Sequence, residues 1–111
     1  MPRHNLGELE QLVLLALLRL GSDAYGVAIR REILERTGRS VTPGAIYPTL
    51  DRLEGRGLVM SRMGEPSGER GGRSRRCFVV TRAGLAEIRR SWNHAFAMAE
   101  GLERALNPKA R

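Results

Sequence analysis

Apolar residues recur at helical spacing through three successive stretches, give way to two short strand-like runs, and then resume helical spacing. The first helix is expected over Leu6 to Leu20. Its apolar residues (Leu6, Leu9, Leu12, Val13, Leu15, Ala16, Leu17 and Leu20) cover more than half its circumference, so it should lie centrally and touch two or more neighbours. Gly21 ends it, and Ser22-Asp23 make a turn. The second helix is expected from about Ala24 to Thr37. Tyr25, Ile29, Ile33 and either Val27 or Leu34 form its inner side, with Arg30, Arg31, Glu32, Glu35 and Arg36 outside. Gly38 stops it, and a short link through Val41 leads to a third helix.

That third stretch, Val41 to Glu54, carries the strongest local signals. Thr42 is placed to cap the first free amides, and Pro43 suits the first helical turn because its missing N–H costs nothing there. Ile46, Leu50 and Leu53 share one face. Gly44, Ala45, Pro48, Asp51, Arg52 and Gly55 lie opposite and are small or polar, so another macromolecule can come close to the helix backbone. Pro48 conflicts with a regular helix at a cost of about 3 kcal/mol. It should either kink the helix, shape its exposed face, or keep that face clear of a protruding side chain.

Strands are expected at Leu58 to Arg62 and Arg75 to Thr81, joined across a turn-rich segment from Gly64 to Gly72. A last helix is expected from Arg82, capped by Thr81, to Leu106, with Asn107-Pro108 closing it. Leu85, Ile88, Trp92, Phe96 and Leu106 follow its helical repeat. It is too long to pack fully on so small a domain. Either it folds back on the core, or it is an arm that pairs with a second copy and with that copy's first helix. Two-fold DNA readers need a dimer contact outside the reading helix, which favours the arm. The resulting fold is mainly α with a small β-hairpin: a winged helix-turn-helix over residues 1–81 and a C-terminal dimerisation helix and tail over residues 82–111.

Charge sharpens this reading. The net charge is +7 with pI near 11.1, and Lys109 is the only lysine among 19 basic residues. A polyanion is the expected partner, nucleic acid before an anionic membrane surface. Arginine also suits bidentate contacts to phosphate and guanine. The hairpin holds Arg62, Arg70, Arg73, Arg75 and Arg76. They would follow a phosphate backbone or enter a minor groove, or else form a solvated basic loop. Cys77 is the sole cysteine, so no intrachain disulfide forms; its apolar neighbours mark a packed structural thiol in a reducing, cytoplasmic setting. The apolar run Leu12 to Leu18 is too short to span a bilayer, no signal peptide is evident, and no membrane association is expected. His4, in a loose amino-terminal arm, and His94 are far apart in sequence, so neither a metal site nor a cofactor is expected.

The residues resemble the PadR family of bacterial transcriptional regulators over nearly the whole chain. The resemblance runs through Leu6-Gly7-x-Leu9-Glu10, Tyr25-Gly26, and Val41-x-x-Gly44-Ala45-Ile46-Tyr47-Pro48-Thr49-Leu50-x-Arg52-Leu53-Glu54-x-x-Gly57-Leu58. Arg70-Gly71-Gly72-Arg73 with Arg75-Arg76 looks like the family's wing, and Val80-Thr81-x-x-Gly84 like its entry into the last helix. The resemblance implies a homodimeric winged-helix repressor of the short form, with a single C-terminal helix. Tyr47, Pro48 and Thr49 would approach the major groove, and the wing arginines the backbone or minor groove. A wing-strand position that is typically tyrosine is Phe78 here, preceded by Cys77. Some short relatives bind planar aromatic compounds at the dimer interface. Trp92 and Phe96, at i and i+4, would form such an effector site or would be interface core without a ligand.

The expected DNA-binding residues are therefore Thr42, Gly44, Ala45, Tyr47, Pro48, Thr49 and Arg52 on the reading helix, with Arg70, Gly72, Arg73 and Arg75 in the wing. Leu85, Ile88, Trp92, Phe96, Leu102 and Leu106 are the expected dimer contacts. The leading function is sequence-specific transcriptional regulation of double-stranded DNA, with repression as the simplest mode. The alternative is a winged-helix protein-interaction module without sequence preference, since the same fold serves both. An enzyme is disfavoured: there is no paired acid and base, no nucleophile constellation and no phosphate-binding glycine motif.

Overall fold

The computed structural model describes residues 5–66, 74–107 and 109. α1 (Glu8–Leu20) starts after Gly7, whose amide donates to Glu10 Oε1 at 2.7 Å, so the first turn is closed by its own acid. Gly21, at φ 64°, ends it. A 3-10 turn (Gly21–Asp23) leads to Ala24 and Tyr25, and then to α2 (Gly26–Thr37), which Gly38 closes in the left-handed conformation. α3 (Pro43–Gly55) begins as expected: Thr42 Oγ1 accepts from the Ala45 amide at 3.2 Å, and Pro43 takes the first position. The helix runs through Pro48 without interruption. The carbonyl that loses its donor to that proline is Gly44's, on the exposed side of the helix where water can replace it.

β1 (Val59–Pro66) and β2 (Ser74–Val80) form an antiparallel hairpin with Val59 opposite Val80 and Ser61 opposite Phe78. Both strands extend further towards the tip than expected, and the tip itself lies outside the described residues. A third, very short rung is added from the link before α2. Tyr25 bridges Cys77, and the Phe78 amide donates to Ala24 O at 3.0 Å. α4 (Arg82–Ala99) is capped by Thr81 Oγ1, which accepts from the Gly84 amide at 3.0 Å.

The core is built around α1, which packs against α2, α3, α4 and β2. Val13 and Leu14 share one buried cluster with Ile29 and Ile33 of α2, Ile46, Leu50 and Leu53 of α3, Val59 and Phe78 of the hairpin, and Ile88 of α4. Cys77 is buried, as its apolar neighbours suggested.

Three expectations are corrected. The C-terminal helix does not run unbroken from Arg82 to Leu106. Gly101 turns to φ 87°, and its amide donates to Glu103 Oε1 at 3.2 Å, so a separate short α5 (Glu103–Leu106) begins there. Leu85 and Ile88 are not a free dimer surface. Ile88 is 4% exposed within the core, and Leu85 packs beside it. Val27 and Leu34, the alternatives for the inner side of α2, are both exposed, because Ile29 and Ile33 with the small Gly26 already fill the face towards α1.

The contact between α4 and the hairpin permits a direct test. A Cβ on Gly84 would collide with the Leu58 carbonyl and sit 2.9 Å from Val80 Cγ1, whereas one on Gly55 would meet nothing within 4 Å. Gly84→Ala is therefore expected to lose about 1–3 kcal/mol of stability from overpacking. Gly55→Ala should be neutral or gain up to about 1 kcal/mol from its better helix propensity. Urea unfolding of the two variants measures both.

Candidate nucleic-acid interface

Burial of Ile46, Thr49, Leu50 and Leu53 fixes which side of α3 faces out. Gly44, Pro48, Asp51 and Gly55 fall along the middle of the exposed side at helical spacing, and all four are exposed. Tyr47 and Arg52 flank this line, and Thr42 stands at its start. Ala45 is half-buried on the Arg52 flank.

Thr49 is a correction. It is 1% exposed; its hydroxyl donates to Ala45 O at 2.8 Å and accepts from Arg52 Nη2 at 3.0 Å. It therefore supports the helix and orients Arg52 from beneath, and is not part of the outward face. Arg52 is also steered by Glu10 of α1, with Nε 3.9 Å from Oε2, and Arg56 approaches the same carboxylate at 3.9 Å.

Two contacts set α3 against α2. Arg30 Nε donates to Val41 O at 2.6 Å, tying the link before α3 to the middle of α2. Tyr47 lies over Gly26, where any Cβ would overlap the tyrosine hydroxyl. The Tyr25-Gly26 pair thus has a packing reason: glycine admits Tyr47, and Tyr25 reaches the hairpin. A Cβ on Gly64 would lie 2.9 Å from the Tyr25 hydroxyl, and the Arg75 guanidinium stands 4.8 Å over the Tyr25 ring. Arg75 is exposed near the tip end of β2. Arg70, Gly72 and Arg73 lie outside the described residues.

Sequence reasoning missed the clamp between wing and α3. Arg76 Nη1 pairs with Asp51 Oδ1 at 3.1 Å, Nη2 with Glu54 Oε1 at 2.5 Å, and Nε donates to Ser61 Oγ at 3.2 Å. Its guanidinium also lies 5.0 Å over the Phe78 ring. Ser61 donates to Glu54 Oε2 through both its amide, at 3.1 Å, and its hydroxyl, at 2.7 Å. All three guanidinium nitrogens are engaged, so Arg76 differs from the neighbouring Arg75, which carries no carboxylate partner among the described residues. The i, i+3 spacing of Asp51 and Glu54 was visible in the sequence. The strand register that brings Ser61 and Arg76 to them was not.

On the C-terminal arm, Trp92 and Phe96 are 64% and 61% exposed, with ring centroids 6.1 Å apart and planes tilted by 31°. Leu102 and Leu106 are exposed beyond them. Among the described residues, no group of three or more His, Cys, Asp or Glu side chains is placed to hold a metal ion, and no helix is long and apolar enough to cross a membrane.

The PadR-like family model for transcriptional regulators matches residues 14–90. The chain belongs to the PadR-like family. That is a family of regulators of transcription and not of enzymes. The transcriptional regulator Rv3488 of Mycobacterium tuberculosis is 40% identical over 67 residues, which is 60% of this chain and 58% of that protein. The chain thus spans less than two thirds of the length of that curated relative. Among solved structures, a PadR family transcription regulator from hypervirulent Clostridium difficile superposes with a TM-score of 0.73 at 21% identity, over 91% of this chain and all of that one. A PadR family regulator from Eggerthella lenta does so at 0.67 and 28%, over 90% and 87%. The winged helix-turn-helix expected from the PadR resemblance is the observed fold.

The clamp also leaves a pH signature in this PadR-like domain. Hydrogen bonds from Ser61, then the Arg76 charge, hold the Glu54 carboxyl below its ordinary value of 4.5, against a partial opposing effect of desolvation. A carboxyl whose folded pKa lies below its unfolded one adds stability above the unfolded pKa and loses it as pH falls through the folded one. The stability difference between the wild type and Glu54→Gln should therefore shrink as pH falls from about 5.5 to about 3. Glu32, held low first by its hydrogen bond to Arg36 and also by Arg19, is common to both proteins and cancels. Urea unfolding at stepped pH gives that difference, and one that stays constant would show that ionised Glu54 adds no stability over its protonated form.

Proposed function

We propose that the protein is a homodimeric, sequence-specific DNA-binding repressor acting in the cytoplasm. Residues 1–81 would read DNA and residues 82–111 hold the dimer. The observation that carries this reading is the bare outward side of α3. Its centre has no long side chain apart from Asp51, and its flanks carry Thr42, Tyr47 and Arg52. Such a side lets the helix backbone sink into a major groove while the flanking groups reach base edges or phosphates. Pro48 suits this role by adding no donor and little reach. The wing arginines Arg70, Arg73 and Arg75 would add backbone or minor-groove contact.

The dimer is supported by apolar surface that a monomer leaves in water. Trp92, Phe96, Met98, Leu102 and Leu106 are exposed along the arm, and Leu15 and Leu18 are exposed on α1. An open groove of about 490 Å³ between α1 and α2, lined by Leu12, Leu15, Leu18 and Ile33, could receive such an arm from a second copy. The same Trp92–Phe96 pair offers stacking faces to a planar aromatic effector that would release the DNA. Repression follows most simply from occupying a promoter, for a chain whose described part shows no separate activation surface.

In-vitro selection from random duplexes at physiological salt should return an inverted repeat, with half-site centres about one helical turn apart. Failure to enrich any motif with a folded dimer would favour the interaction-module reading. Arg73→Ala is expected to weaken all duplexes about equally and to reduce the slope of log K against log salt by about 0.9. An unchanged slope removes Arg73 from the interface. Phe96→Glu with Leu102→Glu should yield a folded monomer by sedimentation equilibrium, because both side chains are exposed and outside the core.

A further inference from the structure

We propose that Asp51 is a base-reading residue that selects cytosine, and that Arg76 is the positioning residue that holds it. The inference rests on the DNA-reading assignment of α3 made above. Asp51 sits on the central line of the outward side, with Pro48 and Gly55 at i−3 and i+4. Its side chain is 61% exposed. Nothing on that line projects further, so its carboxylate is the group that first meets whatever enters against α3.

A carboxylate there needs a reason. It repels phosphates, and it costs binding unless a donor meets it. In the major groove the donors are the amino groups of cytosine N4 and adenine N6. Adenine sets the N7 acceptor beside its amino group, which disfavours an acceptor-only side chain. Cytosine's own edge sets C5–H, not an acceptor, beside its N4 amino group, so the carboxylate favours it.

The clamp supplies the geometry. Arg76 Nη1 holds Oδ1 at 3.1 Å, while Oδ2 makes no hydrogen bond among the described residues. Arg76 is itself fixed by Glu54 and by Ser61 Oγ. One oxygen is thereby immobilised and the other left to accept. The guanidinium beside it, shared with Glu54, offsets part of the negative charge close to the phosphates. Its nitrogens already have partners, so Arg76 acts through Asp51 and makes no phosphate contact of its own.

The test is selection from random duplexes with the wild type, Asp51→Ala, Asp51→Asn and Arg76→Met, with thermal unfolding to verify that each folds. The wild type should prefer cytosine at one position per half-site by about tenfold or more. Asp51→Ala should lose that preference and keep the other positions. Asp51→Asn, close to isosteric and so the surest to fold, should turn the preference towards adenine, because a carboxamide pairs with both N6 and N7. Arg76→Met should blunt the cytosine preference and leave the salt slope unchanged. Matrices for Asp51→Ala and Asp51→Asn identical to the wild type would overturn the proposal. So would a slope reduced by about 0.9 in Arg76→Met, which would make that residue a phosphate contact. A wild type that selects no motif at all defeats the DNA-reading assignment itself. A wild-type motif retained by both Asp51 variants defeats this inference alone.

Discussion

Ile46, Thr49, Leu50 and Leu53 hold α3 against the core, and almost every other feature of the proposed interface follows from that burial. A single helix of 13 residues gains little stability alone. It keeps its shape because one side is buried among α1, α2 and the hairpin. Once that side is committed, the opposite side is fixed by the helical period. Gly44, Pro48, Asp51 and Gly55 then have to face outward, and Tyr47 and Arg52 have to flank them. Thr49 shows the constraint at its sharpest. It is polar and adjacent to the outward residues in sequence, yet its angular position lies inside, where its hydroxyl is satisfied by Ala45 O. The three neighbours that pin this helix use different means. Hydrophobic burial comes from α1, a hydrogen bond from Arg30 to Val41 O from α2, and a charged clamp through Arg76 from the wing.

Much of the fold was legible because it depends on local signals. Thr42-Pro43, Gly38, Gly21 and Thr81 each stop or start an element through backbone chemistry that acts over one turn, and each does so here. The two sides of α3 were legible for the same reason, since a helical period and a cap are enough to divide it. What escaped detection depended on pairing across the chain. The Arg76 clamp needs the strand register. The bridge from Tyr25 to Cys77 needs the link before α2 to lie along the hairpin. The packing of Tyr47 on Gly26 needs the crossing of two helices. Helical periodicity also overreached at the C-terminus. Leu102 and Leu106 keep the apolar rhythm across Gly101, but glycine's freedom at φ 87° lets the chain break where the rhythm continues.

The split role of α4 has the same origin. Its first two turns are anchored, with Gly84 against the hairpin and Ile88 in the core. At about 1.5 Å per residue the remaining turns carry Trp92 and Phe96 well past the edge of that core. A chain of 111 residues has too small a core to cover both this arm and the outer leucines of α1. Exposed aromatics and exposed leucines are costly in water. A second copy would cover both at once, which a folded-back arm does not do in the structure. In such a dimer the break at Gly101 would set Leu102 and Leu106 on a new axis.

Electrostatics separates arginines that build the domain from those left for a partner. Arg19 and Arg36 share Glu32, Arg39 meets Glu8, Arg90 meets Glu87, and Arg76 is held by Asp51 and Glu54. These pairs lie within the domain, and their charges largely cancel at a distance. The net charge of +7 therefore resides disproportionately in residues outside such pairs. Arg62 and Arg75 are two of these, exposed on the hairpin, which itself packs against α3. A uniformly basic surface would attract any polyanion in any orientation. A basic hairpin next to a helix side that carries little charge would give a duplex a preferred orientation instead. In the proposed mode it would bring phosphates to the wing and base edges to α3, where Asp51 shares the Arg76 guanidinium of the wing with Glu54.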